Sequence, residues 1–195
     1  IGTSNVALIL GDNLFHGDHL VPKLLSACKN YSESKIFVYP VKDPERYGVA
    51  EFDNNKKLIN IEEKPLKPRS RFAVTGLYFY DKTVVQKAKK ITPSERGELE
   101  ITSINNLYLK DQSLNVEIMG RGMTWLDTGT FDSLNEAGRY IQLLEKRQGL
   151  KVGCPEEIAW RKGWIKDYEL EKLARKSQKS GYGDYLLDIL KDPLN

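Results

Sequence analysis

Apolar residues come in two textures in this chain, and the change falls near Gly129. Before it, apolar runs are short and either unbroken or alternating. After it, apolar positions recur every three or four residues.

The first run, NVALILGD, sets Val6 to Leu10 directly against Gly11 and Asp12. An unbroken run of this kind predicts a strand buried on both faces of a parallel sheet. LVPKLLSACKN follows, with Leu20, Leu24, Leu25 and Cys28 at helical spacing. SKIFVYPV reads as the next strand, so the three segments predict a βαβ unit. YGVAEFD and KLINIEEK flank Asn54-Asn55 and predict an antiparallel hairpin closed by a tight turn. FAVTGLYFYD predicts another buried strand. GELEITSINNLYLKD predicts a helix with Leu99, Ile104 and Leu107 facing inward, and SLNVEIMG and GMTWLDTG predict two more strands.

Beyond Thr130 the texture is helical. Phe131, Leu134, Ala137, Ile141 and Leu144 lie on one face of a helix that Gly149 would stop. Pro155 stands where proline favours a helix start, and two short helices follow around Glu169 to Lys176 and Tyr185 to Leu190. The predicted architecture is α/β, with a mixed core over residues 1–129 and a helical region over 130–195.

Composition narrows the function classes. The 30 basic residues stand against 27 acidic ones, a near-balance that argues against a nucleic-acid binder. KAKK and KPRSR read as solvated faces. No apolar run approaches the roughly 18 residues that span a bilayer, so no membrane role is expected. Cys28 and Cys154 are too isolated to predict a disulfide framework or a zinc site, and a reducing cytoplasm is the expected setting.

Two acids carry the candidate chemistry. Asp12 ends the first strand, and Asp127, in WLDTGT, ends the last. In open α/β sheets ligands bind beyond the carboxyl ends of strands, where an acid can hold a cation. Each also has a structural reading: Asp12 as turn chemistry, Asp127 as an acid flanking a helix start. In EEKP, Lys64 could neutralise a phosphate and Glu63 could accept hydrogen bonds from sugar hydroxyls, or the two could form a surface ion pair. Gly48 in ERYGV would let a ligand approach the backbone, or simply open a strand. Arg96, Glu98 and Glu100 gather at a predicted helix start. His16 and His19, with no third ligand nearby, read as exposed loop histidines, and no motif suggests a covalent nucleophile.

LGDNLFHG, DPERYGVAEFD, IEEKP, AVTGLYFYD, RGELEIT, GRGMTWLDTGT and RQGLKVGCPEEIA, in this order, resemble the glucose-1-phosphate thymidylyltransferases across essentially the whole chain. The resemblance implies a Rossmann-like nucleotidyltransferase sheet flanked by helices. It implies magnesium held by Asp12 and Asp127, with Lys64 and Arg96 binding the sugar phosphate. Asn13, Gly48, Glu63 and Val74 would contact the sugar, and Tyr78, Glu100, Thr102 and Trp125 would line the hexose pocket. Gly17, Arg121 and Glu157 fall near the family's effector site. The implied reaction joins dTTP and glucose-1-phosphate into dTDP-glucose and pyrophosphate, toward dTDP-rhamnose and related deoxysugars, in a cytoplasmic homotetramer. The family's glycine-rich nucleotide loop, of the type G-G-x-G-T-R-L-x-P-x-T, is not in this sequence, so an N-terminally incomplete chain is expected. Two alternatives stay open: a non-catalytic sugar-phosphate-binding or assembly module of the same fold, and a uridylyl- or adenylyltransferase.

Overall fold

A computed structural model describes residues 2–29 and 33–191; Ile1, Asn30 at the end of the first predicted helix, and the last residues of the helical region lie outside them. The chain divides into two compact units, Ile1–Leu134 and Asn135–Asn195.

Strand β6 (Phe72–Tyr80) is the spine of the first unit, as its apolar run requires; residues 73–78 are all buried. Strand β3 (Ser34–Pro40) pairs antiparallel along one edge. The other edge is shared by β4 (Gly48–Phe52) beside the start of β6 and β1 (Val6–Ile9) beside its end, both also antiparallel. Strand β5 (Leu58–Glu63) extends the sheet beyond β4, and β7 (Leu114–Ile118) lies parallel to β3. Since β1 and β3 both oppose β6, they run in the same direction with β6 between them, joined through helix α1 (Leu20–Lys29).

Several expectations need correction. The first strand is neither in a parallel pair nor buried: Leu8, Ile9 and Leu10 are 38%, 57% and 39% exposed, because among the described residues β1 has a neighbour on one edge only. A strand was missed altogether. Residues Asn13–Gly17 form β2, which pairs antiparallel with β8 (Met123–Asp127) in a second, two-stranded sheet. His16 is therefore a half-buried strand residue rather than an exposed loop histidine. The hairpin turn is longer than Asn54-Asn55. The Asp53 carboxylate accepts the backbone N–H groups of Asn55 and Lys57, and Lys56 takes the left-handed conformation. Leu25, expected on the inner face of α1, is 52% exposed, and Ala27 is the buried residue there.

Helix α2 (Val84–Ala88) is short. Helix α3 (Ile101–Lys110) starts later than expected and shows a different face. Leu99 precedes it and is 64% exposed, Leu107 is half-buried, and Thr102, Asn105 and Tyr108 are the buried positions. Hydrogen bonds decide this. Tyr80 Oη donates to Asn105 Oδ1 at 2.6 Å, and Tyr108 Oη donates to Asp81 at 2.8 Å, so these polar groups can face the sheet, although the buried Asn105 Nδ2 has no partner among the described residues. Around these bonds Tyr78, Tyr80 and Tyr108 stack in sequence, with ring centroids 5.8 and 5.4 Å apart. The core they join includes Ile36, Val38, Ile61 and Val74, each buried side chain contributing about 1.5–3 kcal/mol.

Helix α4 (Phe131–Gln148) ends as predicted at Gly149, which is left-handed. The second unit adds α5 (Pro155–Arg161), opened by Pro155, then α6 (Asp167–Lys176) and α7 (Tyr182–Lys191) around Cys154, Leu170, Ala174, Leu186 and Ile189. No helix among the described residues is long and apolar enough to cross a membrane.

Candidate active site

Pairing of β2 with β8 creates the site. It sets Asn13 opposite Asp127, and thereby brings together two strand ends more than a hundred residues apart in sequence. The connecting loops are tied to each other: the backbone N–H and the hydroxyl of Thr128 both donate to the Asp12 carbonyl, at 2.8 and 2.9 Å. Asp12 and Asp127 converge on Gly129, whose N–H donates to Asp127 Oδ1 at 2.8 Å. A methyl group at Gly129 would stand 3.0 Å from Asp127 Oδ1 and 3.6 Å from Asp12 Oδ2, so the absence of a side chain leaves room between the carboxylates.

These acids open onto a cavity of about 190 Å³ in the first unit. Ten of the residues expected in the site line it: Asp12, Asn13, Gly48, Glu63, Lys64, Val74, Tyr78, Thr102, Trp125 and Asp127. A groove of about 840 Å³ beside Lys56, Lys57 and Lys110 is larger, but no pair of carboxylates converges on it. Size alone does not select a site; converging polar groups do.

Each wall has a local cause. Glu63 ends β5 opposite Gly48, and its Oε2 accepts a hydrogen bond from the Thr102 hydroxyl. A Cβ at Gly48 would lie 2.9 Å from that hydroxyl and 3.3 Å from Glu63 Oε2, so glycine is what lets the acid and the helix start meet. Lys64 leaves the strand with φ of 43°, a conformation rare for a residue with a side chain and held here between the Tyr47 carbonyl, which its N–H bonds at 3.0 Å, and buried Pro65. Trp125 is buried, its ring edge-on to Tyr47 at 5.0 Å. Burial raises the Tyr78 phenol well above its ordinary pKa, and the charges of Glu63 and Asp12 add to the effect.

Arg96 and Glu100 stand outside the cavity wall. Arg96 lies 3.9 Å from Glu63, 3.0 Å from Glu98 and 3.5 Å from Glu100, while Glu100 also accepts from the Ser94 hydroxyl at 3.0 Å. Gly17 and Arg121 belong to the first unit, at and next to the β2–β8 pair, and Glu157 belongs to the second, where Arg161 and Tyr185 hold its carboxylate.

The cavity also contains Leu10, Arg46, Tyr47, Gly76 and Ile101, which sequence reasoning missed. Gly76 had a readable signal, since a glycine inside a strand often marks a close approach. Arg46 and Tyr47 stood in the same motif as Gly48. A hydrogen bond to Asp43 raises the Arg46 pKa further, with Tyr47 and Asp127 adding to it, so the guanidinium is a permanent cation at the wall.

The donor set bears on magnesium. No group of three or more histidine, cysteine or acidic side chains suited to a metal occurs among the described residues. Two carboxylates are nevertheless what a magnesium ion commonly takes from a protein when phosphate oxygens and waters complete its octahedron. Asp12 Oδ1 accepts from Asn13 and Asp127 Oδ1 from Gly129, and each acid keeps its second oxygen without a protein donor among the described residues. The pair fits such an ion.

Comparisons with known proteins identify the family. The family profile described as nucleotidyl transferase matches residues 1–142. The glucose-1-phosphate thymidylyltransferase of Neisseria meningitidis serogroup A is 52% identical over 191 residues, covering 98% of this chain and 66% of that protein. The enzyme of the same name from Mycolicibacterium smegmatis is 52% identical over 190 residues, covering 97% and 66%. The chain thus spans about two thirds of the length of these curated relatives. Among solved structures, a glucose-1-phosphate thymidylyltransferase from Bacillus anthracis in complex with sucrose superposes with a TM-score of 0.63 at 44% identity, covering 71% of this chain and 55% of that one. A UDP-glucose pyrophosphorylase complexed with UDP-glucose shares the fold, with a TM-score of 0.60 at 22% identity over 72% of this chain and 56% of that one.

Proposed function

The chain belongs to the nucleotidyl transferase family, and from that premise we propose that it serves in transferring a thymidylyl group from dTTP to glucose-1-phosphate, giving dTDP-glucose and pyrophosphate. The observation that carries this reading is the convergence of Asp12 and Asp127 on one cavity with Lys64 and Glu63. Curated relatives at 52% identity support thymidine as the base and glucose-1-phosphate as the acceptor.

The sugar-phosphate oxygen attacks the α-phosphorus of the triphosphate in line, and pyrophosphate leaves from the opposite side. No covalent bond to the protein is needed, so positioning and electrostatics supply the catalysis. Asp12 and Asp127 would hold a magnesium ion, which when bound would lower the repulsion between the two anionic substrates. Lys64 supplies a point charge for the sugar phosphate, and Arg96, held among three acids, supplies a second from the rim. Glu63, fixed by Thr102, accepts sugar hydroxyls, and buried Val74, Tyr78 and Trp125 form the hexose wall. Glu100 serves by holding Arg96, and Asn13 lies beside the first acid. Gly17 and Arg121 in the first unit, and separately Glu157 in the second, are proposed as effector-contacting residues, in a cytoplasmic homotetramer feeding deoxysugar synthesis.

Pyrophosphate release from dTTP, UTP and ATP with glucose-1-phosphate and magnesium, measured in a protein that carries the family's glycine-rich nucleotide loop together with this chain, tests the reading. Release that is fastest with dTTP and falls about 100-fold or more in Lys64→Ala is expected. Release that is equal for all three nucleotides, or indifferent to Lys64, would overturn it.

A further inference from the structure

Asn13 sits at the centre of three hydrogen bonds that no substrate role requires. Its Oδ1 accepts from the Trp125 indole N–H at 2.6 Å and from the Gly76 backbone N–H at 2.9 Å, while its Nδ2 donates to Asp12 Oδ1 at 2.8 Å. Two N–H donors meeting one atom fix that atom as the oxygen. The opposite orientation would put NH₂ against two donors and the amide oxygen against a carboxylate. The amide is thus locked with its donor end toward the acid.

The lock is also steric. A Cβ at Gly76 would come within 2.6–2.8 Å of the Asn13 side-chain amide, so β6 tolerates only glycine while that amide stays in place. Gly76 is buried within β6, and Trp125 is buried in β8 with its ring against Tyr47. Asp12, by contrast, is exposed at a strand end. An exposed carboxylate would rotate freely without such an anchor.

We propose that Asn13 is a positioning residue that fixes the Asp12 carboxylate, with Trp125 and Gly76 acting on Asp12 through it. One Asp12 oxygen is occupied and the other is left to face Asp127. Trp125 then has two duties: its ring walls the cavity, and its N–H aims an acid it does not touch. The inference rests on the metal-binding reading of Asp12 given above.

A double-mutant cycle separates the two duties, because coupling through a shared partner is non-additive. Mn²⁺ binding would be followed by electron paramagnetic resonance in the wild type, Trp125→Phe, Asn13→Ala and the double variant, without substrates. Trp125→Phe keeps a ring and removes the N–H. The expected result is binding about fivefold weaker in Trp125→Phe, with less than a twofold further loss when the same change is made in Asn13→Ala. Gly76→Ala, which displaces the amide from the other side, is expected to weaken Mn²⁺ binding as well, and it stands in if Trp125→Phe does not fold. An equal loss in both backgrounds, or none in either, would overturn the proposal. Absence of Mn²⁺ binding in the wild type would count against the metal reading itself. Crystal structures would then decide the clamp: a turned Asn13 amide and a displaced Asp12 in Trp125→Phe support it, and unchanged side chains overturn it.

Discussion

Carboxylates in the cavity and carboxylates at the head of α5 have the same chemistry and opposite surroundings. Asp12 and Asp127 each give one oxygen to a protein donor and keep the other. In α5, Glu157 accepts from Arg161 Nε on one oxygen and from Tyr185 Oη on the other, while Glu156 takes Tyr182 Oη at 2.5 Å and the Cys154 sulfur at 3.9 Å on a single oxygen, Oε2. Two acids that converge on one cavity with an oxygen each to spare retain affinity for an external cation; Glu157, with both oxygens taken, and Glu156, gripped on one oxygen by two donors of its own unit, hold that unit together. Fold position explains the contrast. The first pair lies where strands run out and backbone partners end, the second on a helix packed beside tyrosines.

Exchanging the cavity acids should have the largest effect. Asp127→Asn should lower turnover by about 100-fold or more, equivalent to about 2.7 kcal/mol, with an unchanged urea midpoint; an equal loss from Glu156→Gln would erase the distinction. Tyr182→Phe should do the reverse. It should cost about 1–2 kcal/mol of stability in urea titration, since it strips a donor from Glu156 in the second unit's core, and leave the magnesium dependence of turnover alone.

Gly48→Ala is a smaller test within the cavity. It pushes on Thr102 and Glu63, so KM for glucose-1-phosphate should rise about tenfold, near 1.4 kcal/mol. The smallest effect is one of pH. Burial, and then the hydrogen bond to Glu157, push the Tyr185 phenol up to about 12 from 10.0. A group raised on folding stabilises fully below its unfolded value and loses that contribution as pH rises through the folded one. The urea midpoint of the wild type should therefore exceed that of Tyr185→Phe by a constant margin up to about pH 10 and converge on it toward pH 12; a margin that grows with pH would contradict the assignment.

Much of this could be read from the sequence, and the failures are physical. Short apolar runs, unbroken or alternating, identified β3, β6, β7 and β8, and Gly149 and Pro155 marked helix ends correctly. Strand β2 escaped because NLFHG is five residues long, with a histidine, a glycine and no clear alternation. The face of α3 was misjudged because Thr102, Asn105 and Tyr108 are buried through hydrogen bonds, which apolar periodicity does not register. Asp12 and Asp127 could be named from sequence as acids at strand ends. Their convergence could not, because it depends on a pairing whose members, such as Asn13 and Trp125, lie 112 residues apart.

The measurement that tests the account most directly is Mn²⁺ binding, by electron paramagnetic resonance, to the wild type, Asp127→Asn and Glu156→Gln. One bound ion is expected in the wild type and in Glu156→Gln, and its loss in Asp127→Asn. Binding that survives in Asp127→Asn, or disappears in Glu156→Gln while the protein stays folded, would contradict it.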